Sequence, residues 1–178
     1  CKMLCNTLYM LWGTPFVYNG EEIGMTNVDY TSIEQFKDVS AQNYAVYALN
    51  KGIDMNQILV HLRRSSRINA RTPMQWNNSK NAGFSKSEPW IEINDNYKII
   101  NVENQINDED SIFNFYKKMI KLRRNSDVLI YGQYDLILKD DENIYSYIRK
   151  LDNEKIIIIT NLTNKKAEYI YENEVLKF

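Results

Sequence analysis

The feature that most constrains the fold of this chain is a change of hydrophobic periodicity near residue 127. Before this point apolar residues recur at helical spacing, whereas after it they alternate with polar residues or run together, as in β-strands. Short polar turns join the runs, so we expect antiparallel pairing. The predicted strands are YGQYDLIL (131–138), IYSYIRK (144–150), KIIIITNL (155–162) and AEYIYE (167–172). The sequence therefore predicts a small β-domain over residues 127–178, with Lys155–Thr160 as its buried central strand.

The first residues have the pattern of an α/β repeat. Residues 1–12 predict a helix that ends at Gly13, and the next apolar run, Phe16–Tyr18 in the segment Thr14–Tyr18, predicts a buried parallel strand. The apolar residues that the helical spacing places on one face are Met3, Leu4, Leu8, Leu11 and Trp12. Because the chain begins inside this helix and without Met, we expect it to be the C-terminal piece of a longer protein.

Two carboxylates, Glu21 and Glu22, directly follow the predicted strand. In an α/β barrel, the loop at the carboxyl end of a strand faces the active site, which would give such a pair a catalytic or binding role. An acidic pair also caps and solvates the segment after a strand. We favour the capping interpretation.

The middle of the chain predicts helices separated by a long irregular stretch. One helix is expected from the N-cap Ser32 to Gly52, a second over Met55–Arg64 and a third over Ile112–Arg124. Acidic residues precede the third helix and basic residues fill its second half, which matches the helix dipole. Its predicted apolar stripe is Ile112, Phe115, Tyr116, Met119, Ile120 and Leu122. A loop as long as the one between the second and third helices is usually functional.

Within that loop, SRINARTPMQW (66–76) concentrates hydrogen-bonding side chains before a proline. Such a set suits a pocket for a polyhydroxylated ligand, because the guanidinium of an arginine is a rigid fork of donors. A surface loop with no binding role is the alternative.

Composition excludes several classes of function. The formal net charge is −1, so no basic field indicates nucleic acid or an anionic membrane as a partner. With Cys1, Cys5 and His61 as its full set of cysteines and histidines, the chain lacks the ligands of a zinc site and the residues of a disulfide framework. No apolar run is long enough to cross a membrane. We expect a cytoplasmic protein without metal or cofactor.

Several motifs occur in a specific order: GTPFVYNGEEIGMTN (13–27), KDV (37–39), SRINARTPMQW (66–76), NAGFS (81–85), PWIEIN (89–94), NDNYKIINV (94–102), DSIFNFYKKMIKLRR (110–124) and YGQYDLI (131–137). Together they closely resemble the C-terminal third of the oligo-1,6-glucosidase group of glycoside hydrolase family 13, the α-amylase superfamily. The resemblance implies an α/β plus all-β fold. Residues 1–126 would form the last strand and helices of a (β/α)8 TIM barrel with an active-site loop subdomain, and residues 127–178 a C-terminal antiparallel β-sandwich.

The resemblance also implies roles for residues. Arg71 would hold the terminal glucose, and Arg67 and Asn69 would complete the substrate-binding set by ordering the loop. The three catalytic carboxylates of the family lie upstream of its GTP motif, so we expect none in this chain and no activity from the chain alone. We expect Trp76, Phe84 and Trp90 to pack beneath the loop rather than stack on sugars.

The chain departs from the family pattern at two sites around the arginines. Ile68 stands where an aspartate is usual, and Ser40 stands where a glutamate is common; each departure removes a carboxylate. Asn19 replaces a usual glutamine, a milder change. The expected substrates are isomaltose-type α-glucosides of short oligosaccharides, with the parent acting as a retaining α-glucosidase. The alternatives are trehalose-6-phosphate hydrolase, a sucrose-isomerising enzyme, and a non-catalytic relative that serves as a binding or partner subunit.

Overall fold

The computed structural model describes the backbone of residues 1–171 and 174–177 and the side chains of residues 1–168. Its α-helices are α1 (Lys2–Tyr9), α2 (Val39–Asn50), α3 (Met55–Ser65), α4 (Val102–Ile106), α5 (Ile112–Arg124) and α6 (Asp127–Tyr131). Its strands are β1 (Gln133–Ile137), β2 (Ile144–Leu151), β3 (Glu154–Asn161), β4 (Glu168–Tyr171) and β5 (Glu174–Lys177). The chain divides into two compact units, one of residues 1–17 and 114–178, the other of residues 18–113.

In the first unit, β1, β2 and β3 form an antiparallel sheet in that order, and β4 pairs with β5 in a separate antiparallel sheet. The four predicted strands are confirmed, and β5 was not predicted; Glu172, the last residue of the fourth predicted strand, lies outside the described residues. The expectation that Lys155–Thr160 is the central strand is wrong. Because consecutive hairpins place the middle strand at the centre, β2 is central, and Ile148 of β2 pairs with Ile157 of β3.

Helix α1 packs on this sheet through a polar contact. The hydroxyl oxygens of Thr7 and Thr160 lie 2.8 Å apart, and the Tyr147 hydroxyl donates to the Thr7 carbonyl at 2.7 Å. The buried residues of the helix are Cys5, Thr7 and Tyr9. The predicted apolar face is wrong: Met3, Leu4, Leu8 and Trp12 are 41–71% exposed. The helix has apolar residues on more than one face, so periodicity does not decide which face is buried. The packing partner decides it.

Two arginines hold the end of α1. Arg149 is fully buried and donates to the carbonyls of Met10, Leu129 and Gly132 at 2.7–2.9 Å. Arg123 donates to the carbonyls of Tyr9 and Leu11 at 2.7 and 2.8 Å. Burial lowers the pKa of both guanidiniums from the ordinary value, and the charge of Arg123 lowers that of Arg149 further. The arginines thereby satisfy carbonyls that a helix terminus leaves without partners.

The predicted parallel strand Thr14–Tyr18 does not form, and this expectation is wrong. The segment is irregular, and the Phe16 side chain is 86% exposed. A parallel strand needs neighbours that accept and donate its backbone hydrogen bonds. In the part of the chain that the structure describes, every strand pairing is antiparallel.

The second unit is built around α2 and α3. The predicted helix from Ser32 to Gly52 is divided in two: Ser32 and Gln35 form a capping box on a short 3₁₀ helix, and Asp38 then caps α2. Helix α3 is confirmed within one residue of its predicted end. The core lies between these helices and their flanking loops, and its members are Val28, Tyr30, Phe36, Ala41, Ala45, Ala48, Ile58, Leu59, Leu62, Ile68 and Ile91.

The long loop of this unit is held by buried amides rather than by aromatic rings. The Gln75 side chain donates to Asn96 Oδ1 at 3.0 Å and to the Ile100 carbonyl at 2.6 Å. The Asn94 side chain donates to the carbonyls of Thr26 and Asn27 at 3.1 and 3.0 Å. These bonds supply the backbone partners that a loop without regular structure requires.

Helix α5 has its predicted bounds, but its apolar stripe is only partly right. Tyr116 and Met119 are buried, whereas Ile120 and Leu122 are 40% and 50% exposed.

Candidate functional site

The SRINARTPMQW segment begins with a tightly anchored turn. The Ser66 hydroxyl accepts from the Ile68 amide at 3.2 Å and caps a 3₁₀ helix over Arg67–Ala70. The Ile68 side chain is fully buried in the core. Asn69 accepts from the Val28 amide at 3.1 Å and donates to the Arg63 carbonyl at 2.9 Å. Both ends of the Asn69 amide are thus bonded to backbone.

The next residues border a cavity of about 280 Å³, which we name the Arg71 cavity. The Tyr18 hydroxyl donates to the Ala70 carbonyl and joins the GTPFVYNG loop to this segment. The residues that line the cavity are Tyr18, Asn19, Ala70, Arg71, Thr72, Pro73, Met74, Phe84, Pro89, Trp90 and Ile91. Small-molecule sites typically have volumes of ~300–1,000 Å³, so a cavity of this size suits a ligand as small as one sugar unit.

Two polar side chains that line the Arg71 cavity, Arg71 and Asn19, have no partner in the described chain. Arg71 is exposed, and neither its guanidinium nor the Asn19 amide bonds to any residue that the structure describes. The Thr72 hydroxyl is buried and likewise has no hydrogen-bond partner among the described residues. The exposed Arg71 and Asn19 side chains offer donors and an acceptor of the kind that hydroxyl-rich ligands use.

Aromatic rings also line the cavity, which corrects an expectation. Phe84 and Trp90 do not pack beneath the loop, since they are 50% and 67% exposed and line the cavity. Trp76, at 47% exposure, is also not packed beneath the loop, and it does not line the cavity. The space beneath the loop is taken by Gln75 and Met74, both buried.

Arg67 lies in a different place, a cleft of about 190 Å³ along α2 and α3. Its guanidinium donates to the Ser40 hydroxyl at 2.7 Å and lies 3.6 Å from an Asp38 carboxylate oxygen. His61 also lines this cleft, where its ring lies 4.6 Å from that of Tyr44, measured between centroids. Arg67 therefore does not line the Arg71 cavity. Although Ser40 and Ile68 replace two carboxylates of the family pattern, Asp38 and Ser40 still contact the Arg67 guanidinium.

Glu21 and Glu22 cap a turn, as the favoured interpretation predicts. A Glu21 carboxylate oxygen accepts from the Tyr18 amide at 3.2 Å, and one of Glu22 accepts from the Gly20 amide at 2.8 Å. Glu21 also lines a second cavity, of about 310 Å³, which includes Asn69 and Thr72. No carboxylate of the described chain lines the Arg71 cavity.

Sequence reasoning did not single out Tyr18 or Thr72. Neither carries a local signal, because the role of each depends on the meeting of two loops that are more than fifty residues apart in the chain.

The described residues contain no cluster of three His, Cys, Asp or Glu side chains able to hold a metal ion. In the same part of the chain, none of the helices is long and apolar enough to cross a bilayer.

The chain resembles known proteins along nearly its whole length. A sequence model described as "Alpha amylase, catalytic domain" matches residues 1–132. The oligo-1,6-glucosidase of Parageobacillus thermoglucosidasius is 49% identical over 176 residues, which is 98% of this chain and 31% of that protein. The trehalose-6-phosphate hydrolase of Bacillus subtilis is 40% identical over 168 residues, 94% of this chain and 30% of that protein.

A solved structure gives the same result. The crystal structure of Bacillus licheniformis trehalose-6-phosphate hydrolase matches with a TM-score of 0.93 and 43% identity, over 97% of this chain and 31% of that one. The chain therefore spans about 31% of the length of these relatives.

Proposed function

Since the chain belongs to the α-amylase family of glycoside hydrolases, we propose that it forms the substrate-binding rim of a retaining α-glucosidase. The similarity to solved relatives supports the view that the chain is part of a (β/α)8 barrel. The reaction is hydrolysis of terminal α-glucosidic bonds, α-1,6 bonds above all, in short oligosaccharides. In this proposal residues 1–126 complete the barrel and its loop subdomain, and the two sheets of residues 127–178 belong to a C-terminal β-sandwich.

The observation that carries the proposal is the Arg71 guanidinium, exposed in a cavity and unpaired within the described chain. A planar fork of donors matches two neighbouring hydroxyls of one sugar. An arginine that no carboxylate of the described residues neutralises is available for a ligand. We assign to it the terminal glucosyl unit of the substrate.

Arg67 and Asn69 support this site by ordering the loop. Asn69 holds the turn to the backbone on both sides, and Arg67 ties the same turn to α2 through Asp38 and Ser40. These contacts fix the approach of Ala70 to Tyr18, and thereby the position of Arg71.

Retaining hydrolysis requires two carboxyl groups ~5 Å apart, one to attack the anomeric carbon and one to protonate the leaving oxygen. The Arg71 cavity has no carboxylate among its described lining residues. The proposal therefore assigns both groups to the part of the protein that corresponds to the remaining length of its relatives. The contribution of this chain is binding and orientation of substrate.

A second candidate is hydrolysis of trehalose 6-phosphate. It is supported by the similarity to the solved trehalose-6-phosphate hydrolase. The polar side chains that line the cavity, Arg71 and Asn19, suit a glucosyl unit of either substrate. We place the α-1,6-glucosidase first because an oligo-1,6-glucosidase has the higher identity, 49% against 40% and 43% for the two trehalose-6-phosphate hydrolases. A cytoplasmic location is proposed because Cys1 and Cys5 form no disulfide in the described chain, and disulfides are rare in that compartment.

A chimera tests the proposed function. This chain replaces the matching segment of the Parageobacillus oligo-1,6-glucosidase, and hydrolysis of isomaltose is measured. We expect turnover by the chimera, and a loss of about 10²-fold in kcat/KM for Arg71→Ala, because charged hydrogen bonds are worth ~1.5–3 kcal/mol each. Arg64→Ala, an exposed position on α3, is the control.

Equal rates for Arg71→Ala and the parent chimera would contradict the role of Arg71. A folded chimera that binds isomaltose without turnover would favour a non-catalytic binding subunit. The same exchange into the Bacillus subtilis trehalose-6-phosphate hydrolase tests the second candidate. The 178-residue chain alone is expected to release no p-nitrophenol from p-nitrophenyl α-glucoside.

A further inference from the structure

We propose that Trp90, assisted by Phe84, is a stacking platform for the glucosyl unit whose hydroxyl edge Arg71 binds, so that the Arg71 cavity recognises both the edge and the face of one sugar ring. The inference rests on the proposed function and adds specificity-determining residues to that site.

The first support is the combination of exposure and location. Trp90 is 67% exposed and Phe84 is 50% exposed, and both line the cavity that holds Arg71. Large apolar rings normally lose most of their exposed surface on folding, since ~25 cal/mol is gained for each Å² buried. Two such rings facing one small cavity indicate a ligand with an apolar face.

The second support is that two kinds of side chain, polar and aromatic, line the cavity. Arg71 and Asn19 have no partner in the described chain, and they line the cavity together with the two rings. A pyranose has hydroxyls at its rim and C–H groups on its faces. Because the face of an aromatic ring is electron-rich, it attracts C–H groups that carry partial positive charge. A purely apolar ligand would leave Arg71 and Asn19 without hydrogen-bond partners.

The third support is the strained turn that positions Phe84. Asn81 and Ala82, just before it, have φ values of 56° and 54°, which non-glycine residues rarely adopt. The turn is fixed by hydrogen bonds: the Ala82 carbonyl accepts from the Trp76 and Asn77 amides at 2.9 and 3.2 Å. The Asn81 side chain donates to the carbonyls of Ser85 and Ser87 at 3.1 and 2.9 Å.

Strain of this kind, stabilised by surrounding contacts, is typical of ligand-binding positions. Here it presents an aromatic ring to the cavity rather than to the core. The geometry thus supports a fixed position for the Phe84 ring at the cavity.

The test uses the three tryptophans of the 178-residue chain as separate reporters. Isomaltose is titrated into the ¹⁵N-labelled protein, and the indole N–H signals of Trp12, Trp76 and Trp90 are followed. We expect the Trp90 signal to move with a saturating dependence and the other two to stay. Mannitol, a linear polyol without a ring face, is the comparison ligand.

Variants separate stacking from edge binding. Trp90→Ala is expected to weaken isomaltose binding about tenfold and to leave the weaker mannitol binding unchanged, whereas Trp90→Phe recovers most of the affinity. Trp76→Ala, an equally large change outside the cavity, should have no effect. Arg71→Ala should weaken both ligands. Thermal unfolding of each variant checks that the chain remains folded.

The outcomes are distinguishable. If Arg71→Ala weakens isomaltose binding and Trp90→Ala does not, the stacking inference is overturned and the proposed function stands. If isomaltose moves none of the indole signals and neither variant changes its binding, both are overturned. If Trp90→Ala weakens mannitol as much as isomaltose, Trp90 acts on the shape of the cavity and the stacking inference is wrong.

Discussion

The guanidinium of Arg149 donates to the carbonyl oxygen of Met10 at 2.7 Å, although 139 residues separate the two in the sequence. The same group reaches the Leu129 and Gly132 carbonyls, so one buried side chain joins the end of α1, the helix α6 and the strand β2. No carboxylate of the described chain forms an ion pair with it.

We expect Arg149→Met to lower the free energy of unfolding by about 3 kcal/mol. The substitution keeps much of the volume but leaves three buried carbonyls without a donor, and each unsatisfied group costs ~1–3 kcal/mol. Urea unfolding followed by circular dichroism measures the change. Lys150→Met, at the neighbouring and more exposed position, is the control, and equal losses for the two would contradict this role of Arg149.

Ile68→Asp would restore the residue usual in the family pattern, yet we expect it to destabilise this chain by more than about 3 kcal/mol. The Ile68 side chain is fully buried among the core residues, and a buried carboxylate without a partner is costly. Chemical denaturation of Ile68→Val, expected to lose only about 1 kcal/mol, provides the matched comparison. Unchanged stability of Ile68→Asp would show that the turn moves to expose this position.

Gly83→Ala should disturb the turn that precedes Phe84. A Cβ at this position would lie 2.7 Å from the Asn77 side chain, and the backbone φ is +67°. We expect a loss of about 1–3 kcal/mol from strain at a positive φ. Gly52→Ala, also at positive φ but with no atom within 4 Å of its added Cβ, separates the steric from the conformational cost. Thermal melts that rank Gly52→Ala as the worse variant would contradict the steric reason.

Tyr30 makes stability depend on pH in alkaline solution. Burial, with Glu92 and Asp95 adding negative charge, raises the pKa of Tyr30 from 10.0 to about 12. Between these values the unfolded chain loses a proton that the folded chain keeps, so stability falls as pH rises from 10 towards 12.

Tyr30→Phe removes both the proton and the hydrogen bond to the Glu92 carbonyl, 3.0 Å long. At pH 8 we expect a loss of about 1 kcal/mol from that bond, and we expect the difference from the parent to shrink as pH approaches 12. Urea midpoints at a series of pH values test this. A constant difference across the range would contradict a titrating Tyr30.

Local signals predicted the elements that depend on local causes. The bounds of α5 follow from charges that complement its dipole, and those of the hairpins follow from polar turns between alternating strands. The face of α1 was mispredicted because its buried residues, Cys5, Thr7 and Tyr9, are less apolar than the exposed Met3, Leu4 and Leu8. The strand expected at Thr14–Tyr18 failed because pairing depends on neighbours that no local pattern contains.

The candidate site divides in the same way. A dense motif identified Arg71, Arg67 and Asn69, but it did not distinguish the arginine in the cavity from the one bound to Asp38 and Ser40. That distinction depends on which polar groups fold back onto the turn. The exposure of Trp90 was also unpredictable, because an aromatic residue in a loop has the same sequence pattern whether it packs inward or faces a cavity.

The hydrogen bonds from Arg123 and Arg149 to backbone carbonyls have a consequence for acid tolerance. Most electrostatic contacts in proteins weaken at low pH because a carboxylate takes up a proton, but a peptide oxygen does not titrate in that range. These arginine–carbonyl hydrogen bonds between the first helix and the three-stranded sheet should therefore persist in mild acid and in concentrated salt. Surface ion pairs such as Arg63–Asp29 should be lost first.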